Sequence, residues 1–123
     1  MLSTSPAPGH LWIVATPLGN PGDLSPRARE VLAGADLILA EDTRRAGLLC
    51  SQCNIPARRF LSFHDHNESE RQEEVLRLLR QGQNLALVSD AGTPLLADPG
   101  YRLVRACRAE ACRLARARPF WRR

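Results

Sequence analysis

Four short apolar runs, each followed by a stretch with helical character, constrain this 123-residue chain more than any other feature. The runs are HLWIVA (10–15), DLILA (36–40), RFLSF (59–63) and NLALVS (84–89). Each is too short for a buried helix and is bounded by turn-forming or polar residues, so each reads as a strand, the third most weakly. Ser25-Pro26 opens a helix with Ser at the N-cap and Pro at N1, and that helix stops near Gly34. A second, short helix follows Glu41-Asp42-Thr43 and continues to about Ser51. Asn67, with Glu70 three residues on, comes close to a capping box for a helix over Glu68–Arg80. That helix carries Val75, Leu76, Leu78 and Leu79 together and charges opposite, and Gly82 fits its C-terminal cap. A fourth helix runs from Tyr101 to Cys107 and beyond. The order β-α-β-α-β-α-β-α implies an α/β fold, a mostly parallel sheet flanked by helices on both faces.

The length allows one domain with a real core, without disulfides or metals as staples. Residues 1–9 read as a flexible N-terminus that lacks the charged and apolar regions of a signal peptide. No run approaches the roughly 18 to 20 apolar residues of a membrane span, so a cytoplasmic protein with no membrane partner is expected. The formal charge is +4, and all 17 basic residues are arginine. It is unevenly placed: residues 1–107 hold 11 Arg against 12 carboxylates, whereas 108–123 hold 6 Arg against one. The basic balance therefore belongs to the last sixteen residues and is no argument for a nucleic-acid surface on the body of the chain.

Two groups invite a metal or redox reading and do not sustain it. Cys50-Ser-Gln-Cys53 has C-x-x-C spacing, but the other pair, Cys107 and Cys112, is spaced C-x4-C, so structural thiols are the expectation over a zinc or redox site. His64-Asp65-His66 could chelate, but no third ligand clusters with it in sequence, so no metal is expected.

Ligands of parallel sheets bind at the carboxyl ends of strands. Three polar segments fall there: Thr16–Ser25 (TPLGNPGDLS), Glu41–Arg45 (EDTRR) and Asp90–Gly100 (DAGTPLLADPG). The first is neither G-x-G-x-x-G nor a P-loop, and by spacing alone it is a connector as readily as a site. The second sets two carboxylates and two guanidiniums at a strand end. There Asp42 either accepts a proton from a substrate hydroxyl or simply caps the following helix. In the third, an acid, a small-Gly pair and a hydroxyl could hold a polar cofactor through backbone amides, while Asp98 could cap the next helix. Residue chemistry alone stops at a small-ligand α/β domain of enzyme type.

Taken together, ATPLGNPGDLSPRA (15–28), AEDTRR (40–45), SFHDHNE (62–68) and SDAGTPLLADPGYRLV (89–104) resemble the 16S ribosomal RNA cytidine 2′-O-methyltransferases. These form a branch of the tetrapyrrole (corrin/porphyrin) methylase superfamily. The resemblance covers about residues 10–108 and matches only the first of the family's two α/β domains. It implies S-adenosylmethionine (S-adenosyl-L-methionine) as methyl donor, held in the cleft between domains. It implies 16S rRNA or the small ribosomal subunit as partner, and a possible homodimer. Carried over residue by residue, it sets Asp90, Ala91, Gly92, Thr93 and Pro94 against the cofactor, with Pro17, Leu18, Gly19 and Asn20 facing the same cleft. Asp42 and His64 become the candidate catalytic residues, and Arg44 and Asn67 lie on the substrate side.

The resemblance ends near Arg108. The family continues with a strand and a Val-Pro-x-Pro-Gly-Pro-Ser-Ala-like loop leading into its second domain. This chain reads AEACRLARARPFWRR, an Arg-rich tail over 109–123 without an evident strand. Coded as CGT GCC CGG CCC TTC TGG CGC CGT and read one base later, Arg116–Arg123 becomes Val-Pro-Gly-Pro-Ser-Gly-Ala, so the tail is expected to be a frameshift product. The C-terminal domain is then absent, and the isolated chain is expected to fold but to methylate poorly. Two alternatives accompany this reading: a small-molecule methylase domain of the tetrapyrrole type, and a non-catalytic domain that binds a ligand or partner.

Overall fold

The computed structural model describes residues 9–16, 21–56, 59–64, 67–90, 100–109 and 113–116. The strands are β1 (His10–Thr16), β2 (Leu37–Ala40), β3 (Phe60–Ser62), β4 (Leu85–Asp90) and β5 (Arg113–Arg116). The helices are α1 (Pro26–Gly34), α2 (Thr43–Gln52), α3 (Glu68–Arg80) and α4 (Gly100–Ala109), with a 3-10 turn at Pro21–Asp23. The strands form one parallel sheet in the order β3-β2-β4-β1-β5. Expectation and structure agree on the α/β class and on four of the strands.

Side chains alternate across the sheet, and each face has its own core. Leu11, Leu37, Leu39, Leu85 and Leu87 point to the face covered by α3 and α4, where they meet Val75, Leu76, Leu78, Leu79, Leu103 and Cys107. Val14, Ile38 and Ala86 point to the other face and meet Ala28, Val31 and Leu32 of α1 and Cys50 of α2. The central strands β4 and β2 are buried on both faces, which is why their sequences are continuous apolar runs rather than alternating ones. Each fully buried Leu contributes about 1.5–3 kcal/mol relative to exposure.

Local signals set the helix ends. Ser25 caps α1, its Oγ accepting the Ala28 N–H at 3.1 Å. Gly82 follows the end of α3 with φ 88°. Its N–H donates to the Leu79 carbonyl at 3.0 Å, and the Gln83 N–H reaches the Leu78 carbonyl at 3.1 Å. These two bonds make a Schellman motif, which needs the left-handed backbone that glycine adopts without steric cost.

Two expectations are corrected. Asn67 stands at the N-cap of α3 but makes no side-chain cap bond, so the capping box does not form. Its amide turns back toward the preceding strand. The tail is also not without a strand: Arg113–Arg116 forms β5, parallel to β1, with Leu114 in register with Leu11 and Ala115 with Trp12. An edge strand is held by backbone pairing on one side, so two flanking arginines do not exclude it and hide its pattern in the sequence.

Candidate functional site

β1 and β4 lie side by side and end together, Thr16 in register with Asp90. The Thr16 hydroxyl, buried, donates to the Ser89 carbonyl at 3.2 Å and ties the two strands where both loops leave the sheet. The helix that follows β1 covers one face and the helix that follows β4 covers the other. The same holds for β2, the other neighbour of β4, whose chain continues into α2 on the α1 face. The carboxyl end of β4 is thus a topological switch point, where diverging connections leave a crevice. Asp90 ends its strand there by backbone position. Pro17, Leu18, Gly19, Asn20, Ala91, Gly92, Thr93 and Pro94 lie outside the described residues, as do Asp65 and His66.

The remaining candidates lie along the same sheet edge. Asp42 follows β2 and caps α2: its Oδ1 accepts the backbone N–H of Arg44 at 3.0 Å and of Arg45 at 3.3 Å. Of its two readings, the cap is the one present in the geometry. Asp42 and Arg44 are both exposed.

His64 and Asn67 form one unit just past β3. The Phe63 N–H donates to the Ala40 carbonyl at 2.9 Å, carrying the β2–β3 pairing up to this turn. Asn67 Oδ1 accepts the His64 backbone N–H at 2.9 Å. Asn67 Nδ2 lies 3.2 Å from the Ser62 carbonyl, 3.1 Å from Ser62 Oγ and 3.2 Å from His64 Nε2. An amide nitrogen only donates, so a hydrogen bond between the two requires His64 Nε2 as the acceptor, with the ring proton on Nδ1. Asn67 therefore organises the turn and orients the imidazole. Ser62, absent from the sequence-based candidates, belongs to this unit; only its place in the SFHDHNE block hinted at it.

Glu68 is a second buried polar group that sequence reading passed over. It opens α3, and its Oε1 lies 3.5 Å from the Arg102 guanidinium on α4. The pair bridges two helices on one face, two residues into the helix that follows the Asp90–Gly100 segment. Its signal was weak, since an acid in the first turn of a helix is ordinary.

The cysteines of C-x-x-C pack in the α1–α2 core. Burial, and after it the neighbouring Cys53, pushes the Cys50 thiol above its ordinary range. A reactive cysteine needs the opposite shift.

Residues 10–115 match the tetrapyrrole (corrin/porphyrin) methylases, most of the chain. The chain belongs to this family. The match continues past Arg108 and takes in most of β5. Among curated relatives, it is 57% identical over 106 residues to the ribosomal RNA small subunit methyltransferase I of Escherichia coli O157:H7, covering 86% of this chain and 37% of that protein. The protein of that name from Haemophilus influenzae is 53% identical over 106 residues, with the same coverage. The one from Synechocystis is 54% identical over 99 residues, covering 80% of this chain and 35% of that protein. The chain thus spans little more than a third of the length of these relatives. Its fold is that of uroporphyrin III C-methyl transferase from Thermus thermophilus, with a TM-score of 0.67 over 88% of this chain and 47% of that one, at 18% identity. No described helix is long and apolar enough to cross a membrane.

Proposed function

We propose that this chain is the N-terminal part of an S-adenosylmethionine-dependent methyltransferase that 2′-O-methylates a cytidine ribose of 16S rRNA. The observation that carries this is the 57% identity to a ribosomal RNA small subunit methyltransferase over nearly the whole of the described fold.

The sulfonium of the donor supplies a methyl group on a good leaving group, so the protein's task is alignment and exclusion of water. The crevice at the end of β4 suits that task, because Thr16 and the β1–β4 pairing fix where the two cofactor-side segments, 17–20 and 90–94, depart. Positioning of this kind supplies on the order of 7–11 kcal/mol in well-oriented reactions. On the acceptor side, His64 is held by Asn67 in the tautomer that carries its proton on Nδ1. The ribose hydroxyl displaces the Asn67 amide from Nε2 and gives its proton to that nitrogen, while the Asn67 Oδ1 bond to the His64 N–H keeps the turn that carries the ring in place, a contribution of about 10²–10⁴ in rate. Asp42 is given over to capping α2 and so positions Arg44, whose exposed guanidinium suits an RNA phosphate. The small ribosomal subunit is the corresponding partner, and a homodimer is part of the same reading.

The test uses two proteins: this chain, and a chimera in which its residues 10–115 replace the matching segment of the Escherichia coli relative. Each is incubated with labelled S-adenosylmethionine and small-subunit RNA. The chimera is expected to label a cytidine ribose, and the chain alone to label little or none. Labelling by neither, with the chimera folded, sinks the proposal.

A further inference from the structure

At the other side of β1, away from the strand ends, Trp12 sits half-buried under α1. The Arg27 guanidinium carbon lies 5.0 Å from the centre of its ring, within cation–π reach. The His10 imidazole stacks against the same indole, centroids 5.6 Å apart and planes 23° from parallel. Trp12, Arg27, Glu30, Val31, Gly34 and Asn84 line a groove of about 290 Å³ that opens to solvent.

We infer that this groove is a stacking site for one unpaired base of single-stranded RNA. The inference rests on the reading of the chain as part of an RNA methyltransferase. An indole that already carries a guanidinium and an imidazole takes an unstacked base by exchange: the base replaces the imidazole on the ring and the cation meets the adjoining phosphate. The volume lies just under the range of small-molecule clefts, about 300–1,000 Å³. It admits one base. Glu30 competes weakly for Arg27. Their 3.9 Å contact joins side chains that are 56% and 68% exposed, and exposed pairs hold loosely. Arg27 thus stays available to a phosphate.

The experiment uses the whole chain carrying Trp121→Phe, so that Trp12 is its one indole. An eight-nucleotide oligocytidine is the probe. Anisotropy of a labelled copy reports binding anywhere, including at the arginines of 108–123, and Trp12 emission reports the groove. Emission is expected to fall with the midpoint of the anisotropy change. Gly34→Leu then fills the groove from a position where an added Cβ meets nothing within 4 Å, leaving Trp12 in place. This variant and Trp12→Leu are each expected to weaken binding by about five- to a hundredfold, the loss of one stacked base. Binding with Trp12 emission unchanged, or a Gly34→Leu chain that binds and quenches like the parent, overturns the groove. Either result leaves the RNA reading standing and the groove to a protein segment. No anisotropy change at all also overturns the groove, and the methyltransferase reading then rests on the chimera alone.

Discussion

Asn67 holds His64 from both ends: its Oδ1 accepts the His64 backbone N–H at 2.9 Å, and its Nδ2 lies 3.2 Å from His64 Nε2. The same amide reaches Ser62 on β3, so one side chain fixes strand, turn and imidazole together. Asn67→Ala removes these bonds and leaves half-buried partners behind, at an expected cost of about 1–3 kcal/mol. In the chimera described above, the loss of methylation should exceed what unfolding explains, because the ring loses its orientation. Urea denaturation alongside single-turnover methylation separates the two. Equal stability and activity in parent and variant would remove Asn67 from this role.

Gly9 is a tighter constraint than its place near the N-terminus suggests. Its N–H donates to the Leu79 carbonyl at 2.8 Å, and an added Cβ would run into the Gln83 carbonyl. That carbonyl is backbone in the Schellman turn, which cannot swing aside. Gly9→Ala is therefore expected to cost about 1–3 kcal/mol, in the range of overpacked sites. Gly82→Ala should cost about 1–2 kcal/mol, the penalty of a side chain in the left-handed region. Gly34→Ala, at a position open on all sides, should be neutral or stabilising. Thermal melts of the three variants check the order.

The α/β class was legible because β2 and β4 are buried on both faces and so read as unbroken apolar runs. Caps at Ser25 and Gly82 were legible because each needs one residue type at one position. Asn67 was not, since a short amide can bond forward to its helix or back to its strand, and the sequence pattern is the same in both cases. Asp42 left the same choice open, and its Oδ1 does cap α2 through the backbone N–H groups of Arg44 and Arg45. β5 escaped because pairing with β1, not its own composition, makes it a strand. Arg27 gave no signal at all: its place over Trp12 depends on how α1 crosses β1, which no local pattern encodes.

The Glu68–Arg102 pair joins a side chain that is 6% exposed to one that is 75% exposed. Fully buried pairs cost about 3–5 kcal/mol when one partner is removed, and surface pairs contribute about 0–1 kcal/mol. With one end in water, the coupling should fall between these, at about 1 kcal/mol. A double-mutant cycle of Glu68→Gln and Arg102→Ala measures it by urea denaturation. Arg102→Ala should be the costlier single change, because it strips the cation from a buried carboxylate. Glu68→Gln instead leaves an exposed guanidinium to water. The reverse order would show that Glu68 is held mainly by groups other than Arg102.

Cys50 ties core packing to pH. Burial favours its neutral thiol, and the neighbouring Cys53 adds to the effect, so its pKa in the folded chain lies above the ordinary 9.0. The unfolded chain, whose Cys50 titrates at the ordinary value, loses this proton first as the pH rises. Between the two values the unfolded state binds fewer protons, and stability must fall with increasing pH. The contribution is therefore complete below 9.0 and is lost as the pH climbs through the folded value. Cys50→Ala removes it together with some packing, so the variant starts less stable at neutral pH. The gap between parent and variant should then narrow as the pH passes 9.0. Denaturation curves under reducing conditions from pH 7 to 10 follow that gap. A constant gap would mean that the Cys50 thiol has the same proton affinity in both states. A thiol so disposed should also alkylate slowly in the folded chain, in keeping with a packing role for the C-x-x-C pair.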